Sequence, residues 1–195
     1  DDELEVDLNS GEQQMYRRAQ RFLDTSNFDL AISALQQLES RYPFGKYAEQ
    51  AQLELIYAHY GAYQSEAAIE AADRFIRLHP QHPSVDYAYY MKGVSAYDMN
   101  KNFFSSLIPS DDSKRDVSGV REAFDEFTQL LTRYPNSRYA QDARARMVYI
   151  RNMLARHEIH VANYYFKRGA YMAALKRGQN VVENMQETTA VADGL

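Results

Sequence analysis

The chain has 195 residues, 45% of them hydrophobic and 25% charged, and a net charge of −5 at pH 7. That balance describes one folded domain or one short solenoid, and its sign argues against a nucleic-acid backbone as partner of the whole chain. With no cysteine, this stretch cannot hold disulfides, thiolate metal sites or cysteine nucleophiles, and no apolar run approaches the roughly 18 residues of a membrane-spanning helix.

In chain order, residues 1–11 come first, with Asp1, Asp2, Glu3, Glu5 and Asp7 and few apolar side chains. They have the composition of a flexible acidic tether. The first residue is not methionine, as expected where a leader has been cut away. A helix is expected from about Glu12 to Asp24, with Met15, Ala19, Phe22 and Leu23 on one side. Ser26 to Pro43 reads as a second helix, because Phe28, Ala31, Ile32, Leu35 and Leu38 recur with a period near 3.6. Asn27 stands where a side chain can cap the start. Pro43 stops the helix by moving Tyr42 out of the α region.

A third helix carries Ala51, Leu55, Ala58 and His59 on one face and turns at Gly61. A fourth points Ala68, Ile69, Ala72, Phe75 and Ile76 inward. The connector His79-Pro80-Gln81-His82-Pro83 is expected to be stiff and extended, and to account for a 37-residue step between prolines where about 34 is usual. Tyr87, Tyr90, Met91, Val94 and Tyr97 open the next helix, where Gly93 allows close approach. Its partner begins only near Val117, so about 18 residues are inserted near Lys101 to Ser118, led by Phe103-Phe104. After Pro135 the helical pattern runs unbroken over 137–168, with Ala143, Met147, Ile150, Leu154, Val161 and Tyr165 among its apolar positions. Arg138, Arg144, Arg146, Arg151 and Arg156 make its early part basic, and Gly169 can end it in a left-handed cap. A helix from Tyr171 to Asn184 follows, and Thr188 to Leu195 reads as a helix cut short.

Two spacings organise these elements. Ala31-x3-Leu35, Ala68-x3-Ala72 and Ala123-x3-Phe127 each have a proline twelve residues after the alanine, at Pro43, Pro80 and Pro135. Ala174, Gly178 and Gln186 form a weaker fourth copy. Tyr47-Ala48, Tyr87-Ala88 and Tyr139-Ala140 each begin four residues after a proline: Pro43, Pro83 and Pro135. This alanine–proline pattern belongs to the tetratricopeptide repeat, a helix–turn–helix unit. The expectation is an all-α, right-handed solenoid of about four helix pairs, at about 12–43, 44–80, 84–135 and 137–186. The third repeat carries the insertion, a long helix opens the fourth, and a further C-terminal repeat is expected to be missing.

More specific motifs then come into view. They include Leu38-Glu39-x-Arg41-Tyr42-Pro43-Phe44-Gly45-x-Tyr47, Leu55-Ile56-Tyr57-Ala58-x-Tyr60, Asp73-Arg74-Phe75-Ile76-Arg77-Leu78 and His82-Pro83-x-x-Asp86-Tyr87. Phe103-Phe104, Arg115-Asp116, Tyr134-Pro135-Asn136-Ser137 and Glu158…Tyr164-Tyr165…Arg168-Gly169-Ala170 extend the match over roughly 12–195. Together they resemble the BamD family, tetratricopeptide lipoproteins of the Gram-negative outer-membrane β-barrel assembly machine. The resemblance implies a lipid anchor at the periplasmic face of the outer membrane. It also implies partners: the last POTRA domain of a BamA-type insertase, BamC-type and BamE-type lipoproteins, and unfolded barrel precursors. By the same resemblance Arg177 matches a POTRA contact, and Tyr42, Phe44 and Gly45 match a precursor-recognition motif. The family's lipid-modified cysteine is absent from this sequence, so the anchor is inferred from the resemblance, and Gln186 departs from the proline pattern.

The remaining residues add two open questions. Tyr57, Tyr60, Tyr87 and Tyr90 either pack between helices or line a groove for an extended strand of alternating aromatic and polar residues. Phe103 and Phe104 either pack on their own repeat or anchor a partner. His79 and His82, and His157 and His160, have metal-like spacing without an evident third ligand, and read as loop and helix-surface histidines. No nucleophile elbow or glycine-rich phosphate loop is present, so neither enzymatic activity nor a cofactor is expected. The rival readings are a soluble peptide-binding adaptor or chaperone cofactor using the same groove in the cytosol, and a peptidoglycan-associated enzyme subunit.

Overall fold

The computed structural model describes residues 2–100 and 117–185, with side chains from residue 11 onward. Among the described residues there are eight α-helices and no strand. They are α1 (Asp2–Asp24), α2 (Phe28–Arg41), α3 (Ala48–Gly61), α4 (Ser65–Leu78), α5 (Val85–Met99), α6 (Ser118–Arg133), α7 (Ala140–Lys167) and α8 (Tyr171–Asn184). The chain divides into two compact units, Asp1–Asp98 and Met99–Leu195. Phe103, Phe104, the rest of the expected insertion, and Thr188 to Leu195 lie outside the described residues.

In the first unit α1 packs on α2, α2 on α3 and α3 on α4. The contact faces are those of the apolar periodicity: Ala19, Ala31, Leu35, Leu38, Ala51 and Ala58 are fully buried in one cluster. Polar bonds tie the helices further. Tyr60 on α3 donates to Asp98 on α5 at 2.6 Å, and Lys92 on α5 pairs with Asp73 on α4 at 2.7 Å. In the second unit α6 and α8 pack on α7. There Val120, Ala123, Phe127 and Leu130 of α6 are fully buried, and so are Ala143, Ile150 and Ala155 of α7.

The same local geometry recurs. Three helix pairs close through a three-residue turn with one left-handed residue: Ser26 (φ 54°), Tyr63 (φ 60°) and Gly169 (φ 75°). Each turn returns the next N–H to a carbonyl five residues earlier: Asn27 to Phe22, Gln64 to His59 and Ala170 to Tyr165, at 2.8–2.9 Å. This is the Schellman cap. It is carried by Ser26, Tyr63 and Gly169, so Gly61 is not the left-handed residue of its turn. Gly61 is glycine for packing, since a Cβ there would lie 2.5 Å from the Phe28 ring.

The proline connectors 42–47, 79–84 and 134–139 also share one form. Gly45, His82 and Ser137 donate backbone bonds to Tyr42, His79 and Tyr134 at 3.0–3.1 Å, and Ala48, Val85 and Ala140 donate to Gly45, His82 and Ser137 at 3.0–3.2 Å. Each connector is two tandem turns. Pro43, Pro80 and Pro135 take the second position of the first turn, where a φ near −65° is already right.

Several sequence expectations are corrected. The His79–Pro83 connector is folded into turns and not extended. The 37-residue step does not arise there, because helix starts Phe28 and Ser65, and Ala48 and Val85, are all 37 residues apart. Pro80, not Pro83, is the counterpart of Pro43, and Tyr87-Ala88 sits one turn inside α5. Asn27 occupies the N-cap of α2 but makes no side-chain capping bond; the Schellman turn has already fixed its backbone. Helix α1 begins at Asp2, so the segment expected as a tether continues the helix. Once the packed turns after Glu12 are nucleated, propagation towards the N-terminus meets no proline.

Glu12, 3% exposed, joins α1 to α3. Its carboxylate accepts the Tyr47 N–H at 2.8 Å, just ahead of the first residue of α3. That carboxylate fills the space where a Cβ on Gly45 would stand. A Gly45→Ala change therefore displaces Glu12 from the α3 N-terminus. It should cost about 1–3 kcal/mol in urea unfolding of the full chain.

Tyr16 makes the second tie between α1 and α3. Its hydroxyl donates to Glu54 at 2.9 Å, and its ring stacks on Tyr47 with centroids 4.4 Å apart. Burial first, then the hydrogen bond and charge of Glu54, push its phenol above the ordinary tyrosine range. The neutral phenol is the form the fold favours. Its stabilisation is complete below the unfolded-chain value of about 10 and is lost as pH rises beyond it. Tyr16→Phe should lower stability by about 1 kcal/mol at neutral pH. The gap to the native chain should narrow in denaturation curves taken above pH 10.

Tyr63, 94% exposed with φ 60°, occupies a left-handed position with a bulky side chain. Tyr63→Asn should raise the unfolding midpoint, by the equivalent of about 0.5–1 kcal/mol.

Candidate functional site

Two surfaces hold Phe44 and Arg177, two of the residues singled out by the sequence. The first is an open groove of about 500 Å³ between the C-terminal ends of α2 and α4. Pro43, Phe44, Leu78 and His79 line it together with Glu39, Gln52 and Arg74. Phe44 is 99% exposed and Leu78 54%. The tandem turn explains Phe44: it follows the proline in a connector whose backbone is fixed by hydrogen bonds, so its side chain is held out from the helix ends.

The polar side of this groove is one continuous network. Arg74 grips Glu39 with both terminal nitrogens, at 2.7 and 3.3 Å. The Gln52 amide nitrogen donates to Glu39 at 2.9 Å. Its oxygen therefore faces His79, whose Nε2–H donates to it at 2.9 Å. Glu49 then stands 3.5 Å from His79 Nδ1 and 3.4 Å from His82 Nε2. The Ser84 N–H donates to His82 Nδ1 at 3.0 Å, which leaves the His82 proton on Nε2, facing Glu49. Phe75 supports both imidazoles, with ring centroids 5.0 and 5.2 Å away. The two histidines are thus held by protein groups. Among the described residues no cluster of three or more His, Cys, Asp or Glu could hold a metal ion.

The seven residues expected in a precursor groove are not brought together. Tyr42 packs against the α1–α3 core cluster, Gly45 lies on Glu12, and Phe44 stands in solvent at the border of the α2/α4 groove. Tyr57 and Tyr60 lie near the other end of α3, at least ~14 Å from its start by helical rise. Tyr57 is 45% exposed and meets Phe28 edge-on at 5.7 Å. Tyr60 is half-buried and bonded to Asp98. Tyr87 and Tyr90 are half-buried on α5, whose buried tyrosine is Tyr89. Glu39, Arg74 and Leu78 stand in the family motifs without a site role and Gln52 in none of them, and only the structure joins them to Phe44.

The second surface lies on α7 and α8. Arg177 of α8 reaches Glu158 of α7, its Nη1 donating to both carboxylate oxygens at 2.9 and 2.8 Å. Glu158 is 4% exposed, whereas the Arg177 side chain is 43% exposed. The acid carries a sequence signal, since it continues the apolar series Ile150, Leu154, Val161 and Tyr165 at helical spacing. Leaving such a buried acceptor without its donor costs about 1–3 kcal/mol. Nearby in the same unit, Phe166, Tyr171, Met172 and Leu175 are each more than half exposed. Phe166 and Tyr171 meet edge-on at 5.3 Å, and the Arg168 guanidinium lies 4.6 Å over Tyr164. Several arginines of the basic stretch are already engaged. Arg146 pairs with Asp142, and Arg151 lies over Phe124.

No helix among the described residues is long and apolar enough to cross a membrane. A family profile named YfiO, described as outer membrane lipoprotein, matches residues 9–195. The chain is 43% identical over 183 residues to the outer membrane protein assembly factor BamD of Neisseria meningitidis serogroup B, covering 94% of this chain and 68% of that protein. BamD of Vibrio cholerae is 40% identical over 182 residues, covering 93% of this chain and 76% of the relative. BamD of Pasteurella multocida is 36% identical over 184 residues, covering 94% and 71%. The chain belongs to the YfiO family of outer-membrane lipoproteins, the family of the BamD assembly factors.

Proposed function

We propose that the chain is a non-enzymatic scaffold of outer-membrane β-barrel assembly, anchored at the periplasmic face of the outer membrane. Its helix pairs stack as a right-handed tetratricopeptide solenoid, with repeats at about 12–43, 44–80, 84–135 and 137–186. The first two repeats receive unfolded barrel precursors. The later two, through Arg177 and the Phe103-Phe104 segment, hold the last POTRA domain of a BamA-type insertase, with BamC-type and BamE-type lipoproteins as further partners. Membership of an outer-membrane lipoprotein family favours this reading over a cytosolic peptide adaptor.

The observation that carries the precursor half is Phe44. A phenylalanine 99% exposed on a hydrogen-bonded turn, beside half-exposed Leu78, leaves apolar surface in water at a fixed position. Barrel strands alternate apolar and polar side chains. An extended strand laid here sets an aromatic residue against Phe44 and Leu78, and its polar groups towards Arg74 and Gln52. The tyrosines Tyr57, Tyr60, Tyr87 and Tyr90 then act in a separate contact or in packing.

The test is calorimetric titration of the full chain with a synthetic C-terminal strand of an outer-membrane barrel. Phe44→Ser should weaken binding about tenfold, as expected for losing ~1.4 kcal/mol of apolar contact. The melting midpoint should stay unchanged, because Phe44 is outside the core. Equal affinity of the native chain and Phe44→Ser would move the precursor site elsewhere.

A further inference from the structure

The Arg177–Glu158 pair has an asymmetry that a purely structural ion pair does not require. Glu158 is in the seam of α7 with Ile150, Ala155 and Val161, all buried, and is itself 4% exposed. Arg177 neutralises it with a single nitrogen, Nη1, which serves both oxygens at 2.9 and 2.8 Å. A guanidinium has five N–H donors in a planar fork, and Nη1 accounts for two of them. The remaining three, on Nε and Nη2, form the other edge of the fork, and the side chain is 43% exposed. That Nε/Nη2 edge matches the two oxygens of a carboxylate.

We infer that Glu158 is a positioning residue, which fixes the pose of Arg177 so that the free edge of its guanidinium is held ready for the docking partner. The inference rests on the reading of Arg177 as the insertase contact. The buried acid holds the arginine in place, because Arg177 cannot swing away without leaving a desolvated carboxylate unpaired. The rotamers of a long side chain are thereby ordered before the partner arrives, which removes part of the entropy that docking would otherwise cost. Lysine cannot hold Glu158 and still present a planar edge, since its ammonium is a point charge without a planar fork. An acid that merely competed for Arg177 would weaken the contact, and removing it would strengthen binding.

The experiment is calorimetric titration of the full chain with the last POTRA domain of its own insertase, using four variants: Arg177→Ala, Arg177→Lys, Glu158→Gln and the double change Glu158→Gln/Arg177→Ala. Helicity and melting are followed for each by circular dichroism. Arg177→Ala should weaken binding at least tenfold. Glu158→Gln should weaken it about threefold to tenfold, and should add nothing in the Arg177→Ala background, where there is no guanidinium to position. Arg177→Lys should bind nearly as poorly as Arg177→Ala. Binding by Glu158→Gln that is unchanged or tighter, while Arg177→Ala is weak, overturns the positioning role. Should Glu158→Gln fail to fold, Arg177→Lys decides, because undiminished affinity shows that charge suffices and pose is irrelevant. Native affinity in Arg177→Ala removes the underlying reading of Arg177, and the role of Glu158 with it.

Discussion

Close approach of paired helices is the constraint on which the rest of the structure depends. Ala31, Ala68 and Ala123 have no exposed surface, and Ala174 has 9%. Leu35, Ala72, Phe127 and Gly178, four residues further on, are buried as well. A larger side chain at the alanines would push the axes beyond the 8–10 Å at which ridges and grooves interlock. Each helix pair alone has too little core to be stable. The pairs gain by packing on neighbours, and the connectors must deliver each new helix in register. The tandem turns do this with backbone hydrogen bonds and a proline whose φ is already set.

This is why the helices were legible in the sequence while their connectors were not. Apolar periodicity and buried alanines located α2, α3, α4, α7 and α8 closely, because burial on one face leaves an imprint at i, i+3 and i+4. Gly169 was readable as a left-handed cap, since glycine is the usual residue there. Ser26 and Tyr63 take the same conformation without the usual residue type, so composition gave no sign of them. The double proline at 80 and 83 suggested an extended link, yet proline φ is equally compatible with the second position of a turn. The backbone bonds from His82 and Val85 decide between them.

The candidate sites divide along the same line. Phe44 was readable from a local motif, and the turn that presents it is local. The network from Arg74 through Glu39, Gln52 and His79 to Glu49 joins residues from α2, α3, α4 and a connector. No spacing within one helix encodes such a network. Glu158 is intermediate. Its place in the apolar series marks it as inward-facing, but its partner, nineteen residues away on another helix, is found only in three dimensions.

The two surfaces also differ in the force each can offer a partner. At Phe44 and Leu78 the available term is apolar contact, which is non-directional and insensitive to moderate salt. It suits many sequences sharing only an alternation of apolar and polar residues, as unfolded barrel chains do. At Arg177 the available term is a charge-assisted fork, directional and screened by salt over about 8 Å at physiological ionic strength. A buried carboxylate beneath it makes that fork rigid. Rigid, directional contacts discriminate between partners better than apolar ones do, because a misplaced acid loses both of its hydrogen bonds at once. Under the proposed function the first kind of surface suits many clients and the second suits a single insertase, and Phe44 and the Glu158–Arg177 pair are the groups proposed for those two tasks.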